Sequence, residues 1–176
     1  MRLKQYYKMW SKLYEWDEET IIWNIDESVN LTTKVMKKSD RKWHFWVKND
    51  LYIVNVMEKV PSHYELSFFH KDVYGNEISS ITNKNTPFSV MDGVAVAMKN
   101  LIEIKNPKII EFNVFGEDKK VRMFRKIMDM VIKKHSDIFG NYKISSKETK
   151  IVLPYNDTPE ELLKNLKGTK FIMERN

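Results

Sequence analysis

Four histidines are the side chains of this sequence best suited to metal binding or to proton transfer near neutral pH. They are His44, His63, His70 and His135. Only His63 and His70 approach the spacing of metal ligands on one element, with Asp72 close by. In a strand, residues an odd number of positions apart face opposite sides, so these two histidines would point away from each other. We therefore interpret all four as structural or surface residues and predict no metal site.

The other residue types that commonly carry out catalysis are either absent or do not form a known catalytic motif. The sequence has no cysteine, which excludes disulfides, thiolate metal sites and cysteine nucleophiles. It contains neither a Gly-x-Ser-x-Gly elbow nor a Gly-x-x-x-x-Gly-Lys phosphate loop, and only five glycines. The adjacent carboxylates Asp17, Glu18 and Glu19 are typical of a solvated surface, since glycosidase chemistry needs two carboxylates held across a cleft. We predict no catalytic residue and no cofactor.

A group of cations is the candidate binding site. Lys119, Arg122, Lys126 and Lys133 belong to a segment, 118–135, whose apolar residues recur at helical spacing. If the apolar side packs inward, these cations lie on the outer side, because residues three and four apart share a face. Such a surface is either simply solvated or binds an acidic protein or a nucleic acid. The inward residues would be Val121, Phe124, Ile127, Met128, Val131 and Ile132.

The tryptophans give a second set of candidate binding residues. All five lie between Trp10 and Trp46. Tryptophans often anchor cores and interfaces, so Trp10, Trp16 and Trp23 are candidate interface residues. Aromatic residues near the basic segment 34–42 could instead stack on unpaired bases. The net charge of +6 suits either an acidic protein or a nucleic acid as partner.

Residues 1–42 are predicted to form a helical N-terminal region. Apolar residues from Leu3 to Tyr14 recur at spacings of three and four, which is typical of an amphipathic helix. An acidic segment, 15–27, and the basic segment 34–42 follow. From residue 43 the pattern changes to that of strands and predicts an antiparallel meander of about four. These strands would be 43–47, 51–56, 64–69 and 78–81.

After the meander, the sequence predicts alternating helices and strands. Thr86 and Pro87 supply an N-cap and a first-turn proline for a helix over 86–105, which Pro107 limits. We therefore predict a single α+β domain over 1–176, in which 43–176 form the helices and a central, mostly antiparallel sheet. The remaining elements would be a strand at 108–115, a helix at 118–135, strands at 142–144 and 149–153, and a short helix at 158–166.

The stretch 87–134 resembles a recurrent pattern in small proteins of tailed bacteriophages. It reads Pro87-Phe88-Ser89-Val90, then a helix, then Pro107-Lys108-Ile109-Ile110-Glu111-Phe112, then Arg122-Met123-Phe124. In those proteins a Phe-x-Val helix leads to a Pro-x-x-Ile-x-Phe strand and then to a helix with Arg-x-x-Leu-Tyr. The resemblance is confined to this stretch. It implies a phage origin more than an activity.

The order of elements also resembles the second half of an N-acetyltransferase of the GNAT family. In that family the meander leads to a helix that receives the cofactor pyrophosphate, then to a strand and to a helix that often supplies a tyrosine acid. Here the entry to the first helix, 83–87, has no glycine, and Pro87 lacks an N–H. The tyrosine position falls on Phe124, which has no proton to donate. The resemblance implies acetyltransferase-like topology without a cofactor loop.

These patterns together predict a non-enzymatic phage accessory or virion-associated protein. It would act through contacts with a phage or host protein that has an acidic surface. A divergent acyltransferase and a basic nucleic-acid-binding module are the alternatives. No apolar run approaches the roughly 20 residues that span a bilayer, and the N-terminus lacks the apolar core of a signal peptide. We therefore expect the protein in the host cytoplasm or the virion, with no membrane partner.

Overall fold

The computed structural model describes residues 30–71, 77–78, 87–116, 118–149 and 167–176. Its helices are α1 (Pro87–Lys105), α2 (Asp118–Lys134) and the single turn α3 (Ser136–Phe139). Its strands are β1 (Val35–Ser39), β2 (Lys42–Val47), β3 (Asp50–Val60), β4 (His63–Lys71), β5 (Glu77–Ile78), β6 (Ile109–Gly116), β7 (Tyr142–Thr149) and β8 (Lys167–Arg175).

Within the described residues, the strands form one mixed sheet in the order β1-β2-β3-β4-β6-β8-β7, with β5 beside β4. Antiparallel pairing joins β1 to β2, β2 to β3, β4 to β5, β6 to β8 and β8 to β7. In contrast, β4 and β6 are parallel, paired from His63 with Ile109 to Glu65 with Glu111. The predicted α+β class with a mostly antiparallel sheet is confirmed at this level.

The chain divides into two compact units. The first consists of residues up to Glu58 together with Leu66–Asn106, and the second of Lys59–Glu65 together with Pro107–Asn176. The tip of the β3–β4 hairpin therefore belongs to the second unit, and the rest of that hairpin to the first. The single domain predicted over 1–176 stays a prediction.

In the first unit, one face of β2 and β3 forms a core with α1. Trp43 and Phe45 are completely buried, and the Phe45 ring stacks on Tyr52 with centroids 5.4 Å apart. Gly93 of α1 lies against the Phe45 ring, and a Cβ at Gly93 would overlap its carbon atoms. The helix can approach the sheet this closely only because residue 93 has no side chain.

A buried carboxylate fixes the start of the described chain to α1. Asp92 is 3% exposed and accepts backbone hydrogen bonds from Leu31 at 2.5 Å, Thr32 at 3.1 Å and Thr33 at 2.8 Å. The hydroxyl of Thr33 also donates to Asp92 at 2.5 Å. Leu31 has a φ of 56°, which helps to turn consecutive N–H groups toward one anion. The Asp92 carboxylate thus replaces hydrogen bonds that a sheet or helix would otherwise supply.

The second unit has an aromatic core under α2. Phe112 stacks on Phe171 with ring centroids 5.5 Å apart, and Phe124 of α2 lies 5.3 Å and 5.2 Å from them. The hydroxyl of Tyr142 donates to the carbonyl of Pro107 at 2.7 Å, which joins the start of β7 to the entry of β6. The other fully packed residues of α2 are Ile127, Met128 and Val131.

The structure corrects several predicted elements. Residues 35–39 form strand β1, although they belong to the region 1–42 that was predicted to be helical. Strand β7 runs to Thr149, well beyond the predicted 142–144. Strand β8 was not predicted at all, and it lies between β6 and β7. Three predicted elements lie outside the described residues. They are the amphipathic helix from Leu3 to Tyr14, the part of the strand 149–153 that follows residue 149, and the helix at 158–166.

The predicted helices at 86–105 and 118–135 and the strand at 108–115 are confirmed to within about one residue at each end. The predicted strand at 78–81 is described only as the short β5. None of the described helices is long and apolar enough to cross a membrane.

Candidate binding surfaces

Helix α2 carries buried apolar residues on one side and exposed cations on another, although Val121 and Ile132, which were also predicted to face inward, are only half-buried. Its buried side carries Phe124 and the three residues packed beside it, whereas Arg122, Lys126 and Lys133 are exposed. These three cations are four and seven positions apart, so they line up along one side of the helix. We call this row the α2 basic side. The fourth predicted cation, Lys119, lies within α2, but its side chain is outside the described part.

A neighbouring arginine holds α2 against strand β7. Arg125 donates through Nη1 to the hydroxyl of Ser146 at 3.0 Å and through Nη2 to the carbonyl of Ile144 at 3.2 Å. Its Nε also lies 3.6 Å from Oδ2 of Asp129, the acidic residue that interrupts the α2 basic side. Arg125 therefore contacts both β7 and Asp129, and its hydrogen bonds to β7 fix the orientation of α2 and of the basic row on it.

The candidate interface residues Trp10, Trp16 and Trp23 all lie outside the described residues. The same holds for the acidic residues Asp17, Glu18 and Glu19. Within the described residues, no group of histidine, aspartate and glutamate side chains is arranged to hold a metal ion.

The second unit contains a buried charged group that sequence reasoning missed. Glu111 of β6 has a side chain that is only 6% exposed. Its Oε1 lies 2.5 Å from Nζ of Lys59 and 3.1 Å from Nζ of Lys170, and its Oε2 lies 2.9 Å from Nε2 of His63. Nζ of Lys59 also lies 2.5 Å from Oε2 of Glu65. We call these five residues the Glu111 cluster.

The strand register explains why the Glu111 cluster needs several cations. Glu65 and Glu111 are partners in the parallel β4–β6 ladder, so two carboxylates stand side by side. Like charges directly opposite each other destabilise a sheet. Lys59 bridges the two carboxylates and removes that repulsion, and Lys170 reaches Glu111 from β8.

The pKa values of Glu111 and Lys59 both favour the charged forms of these side chains. Burial raises the pKa of Glu111, but hydrogen bonds from Lys59, Lys170 and His63 together outweigh it and hold the pKa at about 2. The hydrogen bond to Glu111, followed by that to Glu65, raises the pKa of Lys59. A general base works best when its pKa lies near the operating pH, and a nucleophilic lysine must lose its proton. Glu111 and Lys59 are therefore poorly suited to act as a general base or a nucleophile, and their ion pairs join strands β3, β4, β6 and β8.

The sequence did contain one signal for this cluster. In β6, Ile110, Phe112 and Val114 are buried on one face, so Glu111 and Asn113 share the other. A carboxylate in the middle of an otherwise apolar strand indicates either solvent or a buried partner on that face.

A third surface lies on the face of β2 that points away from the core of the first unit. Because Trp43 and Phe45 face inward, His44 and Trp46 face outward. The side chain of Trp46 is exposed, at 56% of its surface, and stands opposite Leu51 of β3. Met36 of β1 is 38% exposed and stands opposite His44.

Three lysines surround His44 on this surface. The charges of Lys38, Lys42 and Lys71, after the larger effect of burial, lower the pKa of His44. Lys38 is the extra residue where the register of β1 and β2 shifts between Lys37 and Ser39. We call Met36, Lys38, Lys42, His44, Trp46 and Lys71 the Trp46 face. Among the residues that the structure describes, none of these lysines forms an ion pair with a carboxylate.

Comparison of the sequence with models of known protein families finds no match, and a search of curated proteins finds none. The resemblances to tailed-bacteriophage proteins and to acetyltransferases therefore stay predictions.

Proposed function

We propose that the protein is non-enzymatic and acts by binding an acidic surface of another protein through the α2 basic side. The observation that supports this most is the exposed row of Arg122, Lys126 and Lys133 on a helix whose opposite side is buried. Exposed cations of one sign attract an acidic partner and orient it during encounter. Because Arg125 ties the helix to β7, the row is presented on a fixed element.

Two further observations favour binding over acyl transfer. Phe124 is buried between two other phenylalanine rings, so the position that would supply a tyrosine acid is filled by a core residue. Helix α1 begins at Pro87, which cannot donate an N–H to a pyrophosphate. We propose that titration of the protein with acetyl-CoA gives no binding; micromolar affinity would favour the acyltransferase alternative.

The order of the strands is the feature that favours the acyltransferase alternative. A crossover through α1 leads from β4 to the parallel strand β6, and the last strand lies between β6 and β7. This order supports our proposal of acetyltransferase-like topology without a cofactor loop. Since one fold can host unrelated functions, the topology alone carries no activity. We also propose a phage origin and a place in the host cytoplasm or the virion, for which the resemblance of 87–134 is the support.

Charge reversal in α2 tests the proposed function. A poly-glutamate peptide serves as a probe of acidic surfaces, and its binding to the full chain is measured by fluorescence anisotropy at low salt. We expect Arg122→Glu combined with Lys126→Glu to weaken binding roughly tenfold, since each exposed ion pair contributes up to about 1 kcal/mol.

The matched control reverses two other exposed cations of the same unit, Lys143 and Lys147 of β7. It changes the net charge equally but leaves α2 intact. Equal loss in both double variants would mean that net charge alone attracts the peptide. No loss in the α2 variant would mean that the row is only solvated.

A further inference from the structure

The Trp46 face combines three features that rarely coincide on a surface without a partner. An indole ring is 56% exposed on a strand whose other face is fully buried. Met36, which stands opposite His44 on the same face of the sheet, is 38% exposed. The charges of Lys38 on β1, Lys42 on β2 and Lys71 on β4 all act on His44, which lies two residues from Trp46 on the same face of β2. Single exposed apolar residues are common, but a group of them bordered by cations marks a binding site.

We infer that the Trp46 face binds single-stranded nucleic acid. The indole of Trp46 would stack on an unpaired base, and Lys38, Lys42 and Lys71 would contact the phosphates on either side. Proteins that hold single strands combine a basic track with aromatic rings on which bases stack. The strand spacing suits this division, because alternate residues such as Lys42, His44 and Trp46 stand about 7 Å apart on one face.

Charge complementarity favours a nucleic acid over an acidic protein at this face. The lysines of the Trp46 face have no carboxylate partner among the described residues, whereas Asp40 and Glu58 of the same unit are already paired. Asp40 pairs with Lys37 at 2.5 Å and with Lys105 at 3.5 Å, and Glu58 lies 3.5 Å from Arg41. Carboxylates of an acidic protein could pair with the lysines, but they do not stack on an indole. In a nucleic acid, the base supplies a flat ring that stacks on the indole, and the phosphate beside it supplies the negative charge.

A single strand fits better than a duplex. In a duplex the bases are stacked on each other and the indole could reach only their edges or the backbone. In a single strand each base has a free face. The inference thus predicts a strong preference for unpaired over paired nucleic acid, which simple attraction between a basic protein and phosphates would not produce.

The histidine of the Trp46 face gives an independent readout. Nε2 of His44 is buried and has no hydrogen-bond partner among the described residues. The three lysines help to lower the pKa of His44. Phosphates that neutralise those lysines should therefore raise the pKa of His44. NMR titration of the imidazole with and without an oligonucleotide would detect this change.

The main experiment measures binding of the full chain to a labelled oligonucleotide of about 12 nucleotides, in single-stranded and duplex form. Salt is varied between about 50 and about 200 mM. We expect Trp46→Ala to weaken single-strand binding about 10- to 100-fold and Trp46→Phe to restore most of it, since a phenyl ring still stacks. With three phosphates contacted, the slope of log K against log salt should be about −2, and Lys42→Gln or Lys71→Gln should each reduce it by about 0.7.

The Arg122→Glu and Lys126→Glu double variant is the control that separates this inference from the proposed function. We expect it to keep its affinity for the single strand while losing the poly-glutamate peptide. If Trp46→Ala binds the oligonucleotide as tightly as the parent, the inference is wrong. Equal affinity for duplex and single strand would also overturn it, as would poly-glutamate binding that depends on Trp46.

Discussion

The Glu111 cluster and the Trp46 face show two opposite ways of placing charge on a β-sheet. In the cluster, two carboxylates are matched by two lysines and a histidine, and the central side chain is 6% exposed. On the Trp46 face, three lysines surround one histidine without a carboxylate partner among the described residues. The matched charges stabilise the fold, whereas we infer that the unmatched lysines beside the exposed ring bind a nucleic acid.

The largest expected effect comes from breaking the matched set. Glu111→Gln keeps the size of the side chain but leaves Lys59 and Lys170 close together without their shared carboxylate. Removing one member of a buried ion pair costs about 3–5 kcal/mol, so the free energy of unfolding should fall by about that much. Urea denaturation measures it. The control is Asp129→Asn, which breaks an exposed ion pair with Arg125 and should cost less than about 1 kcal/mol. Equal effects would show that the cluster stabilises no more than a surface pair.

Acid should reveal the same cluster. The pKa of Glu111 is about 2 in the folded protein, against an ordinary value of 4.5. A lowered folded-state pKa contributes stability that is present above the unfolded value and is lost as pH falls toward the folded one. Between pH 4.5 and about 2 the parent should therefore lose up to about 3 kcal/mol through this residue alone. Denaturation series at falling pH should converge for the parent and Glu111→Gln. Parallel curves would contradict the lowered pKa.

The smallest expected effect concerns the unmatched surface. Trp46→Ala should change the free energy of unfolding by no more than about 0.5 kcal/mol, because the side chain is largely exposed. Trp43 offers a matched control: it has the same side chain on the same strand but is completely buried. Trp43→Ala should cost about 3–5 kcal/mol. Thermal melting of the two variants compares their stabilities. A large loss of stability in Trp46→Ala would mean that the Trp46 ring belongs to the core.

Sequence periodicity predicted α1, α2 and β6 because each carries its own local signal. The pattern of β8 was also present, since Phe171 and Met173 are buried and alternate with Lys170 and Glu174. The sequence alone does not show where this strand begins, because Gly168 comes just after the predicted helix 158–166 and Lys167, the strand's first residue, and a glycine at this place is equally typical of a helix end.

The Glu111 cluster could not be predicted in the same way. The two lysines and the histidine that contact Glu111 lie 48 to 59 residues from it along the chain, so only the strand order brings them together. The sequence indicated only part of the Trp46 face. The run Trp43-His44-Phe45-Trp46 guarantees that its two tryptophans lie on opposite faces of a strand, but not which of them faces outward.

The Asp92 carboxylate has a consequence for how the protein is made. Residues 31–33 leave the ribosome 59 to 61 residues ahead of the side chain that binds their N–H groups. At a synthesis rate of about 5–20 residues per second, this delay is roughly 3–12 seconds. During that interval the leading segment has no α1 to hold it. The order of translation therefore leaves residues 31–33 without their hydrogen-bond acceptor until the whole meander has been synthesised.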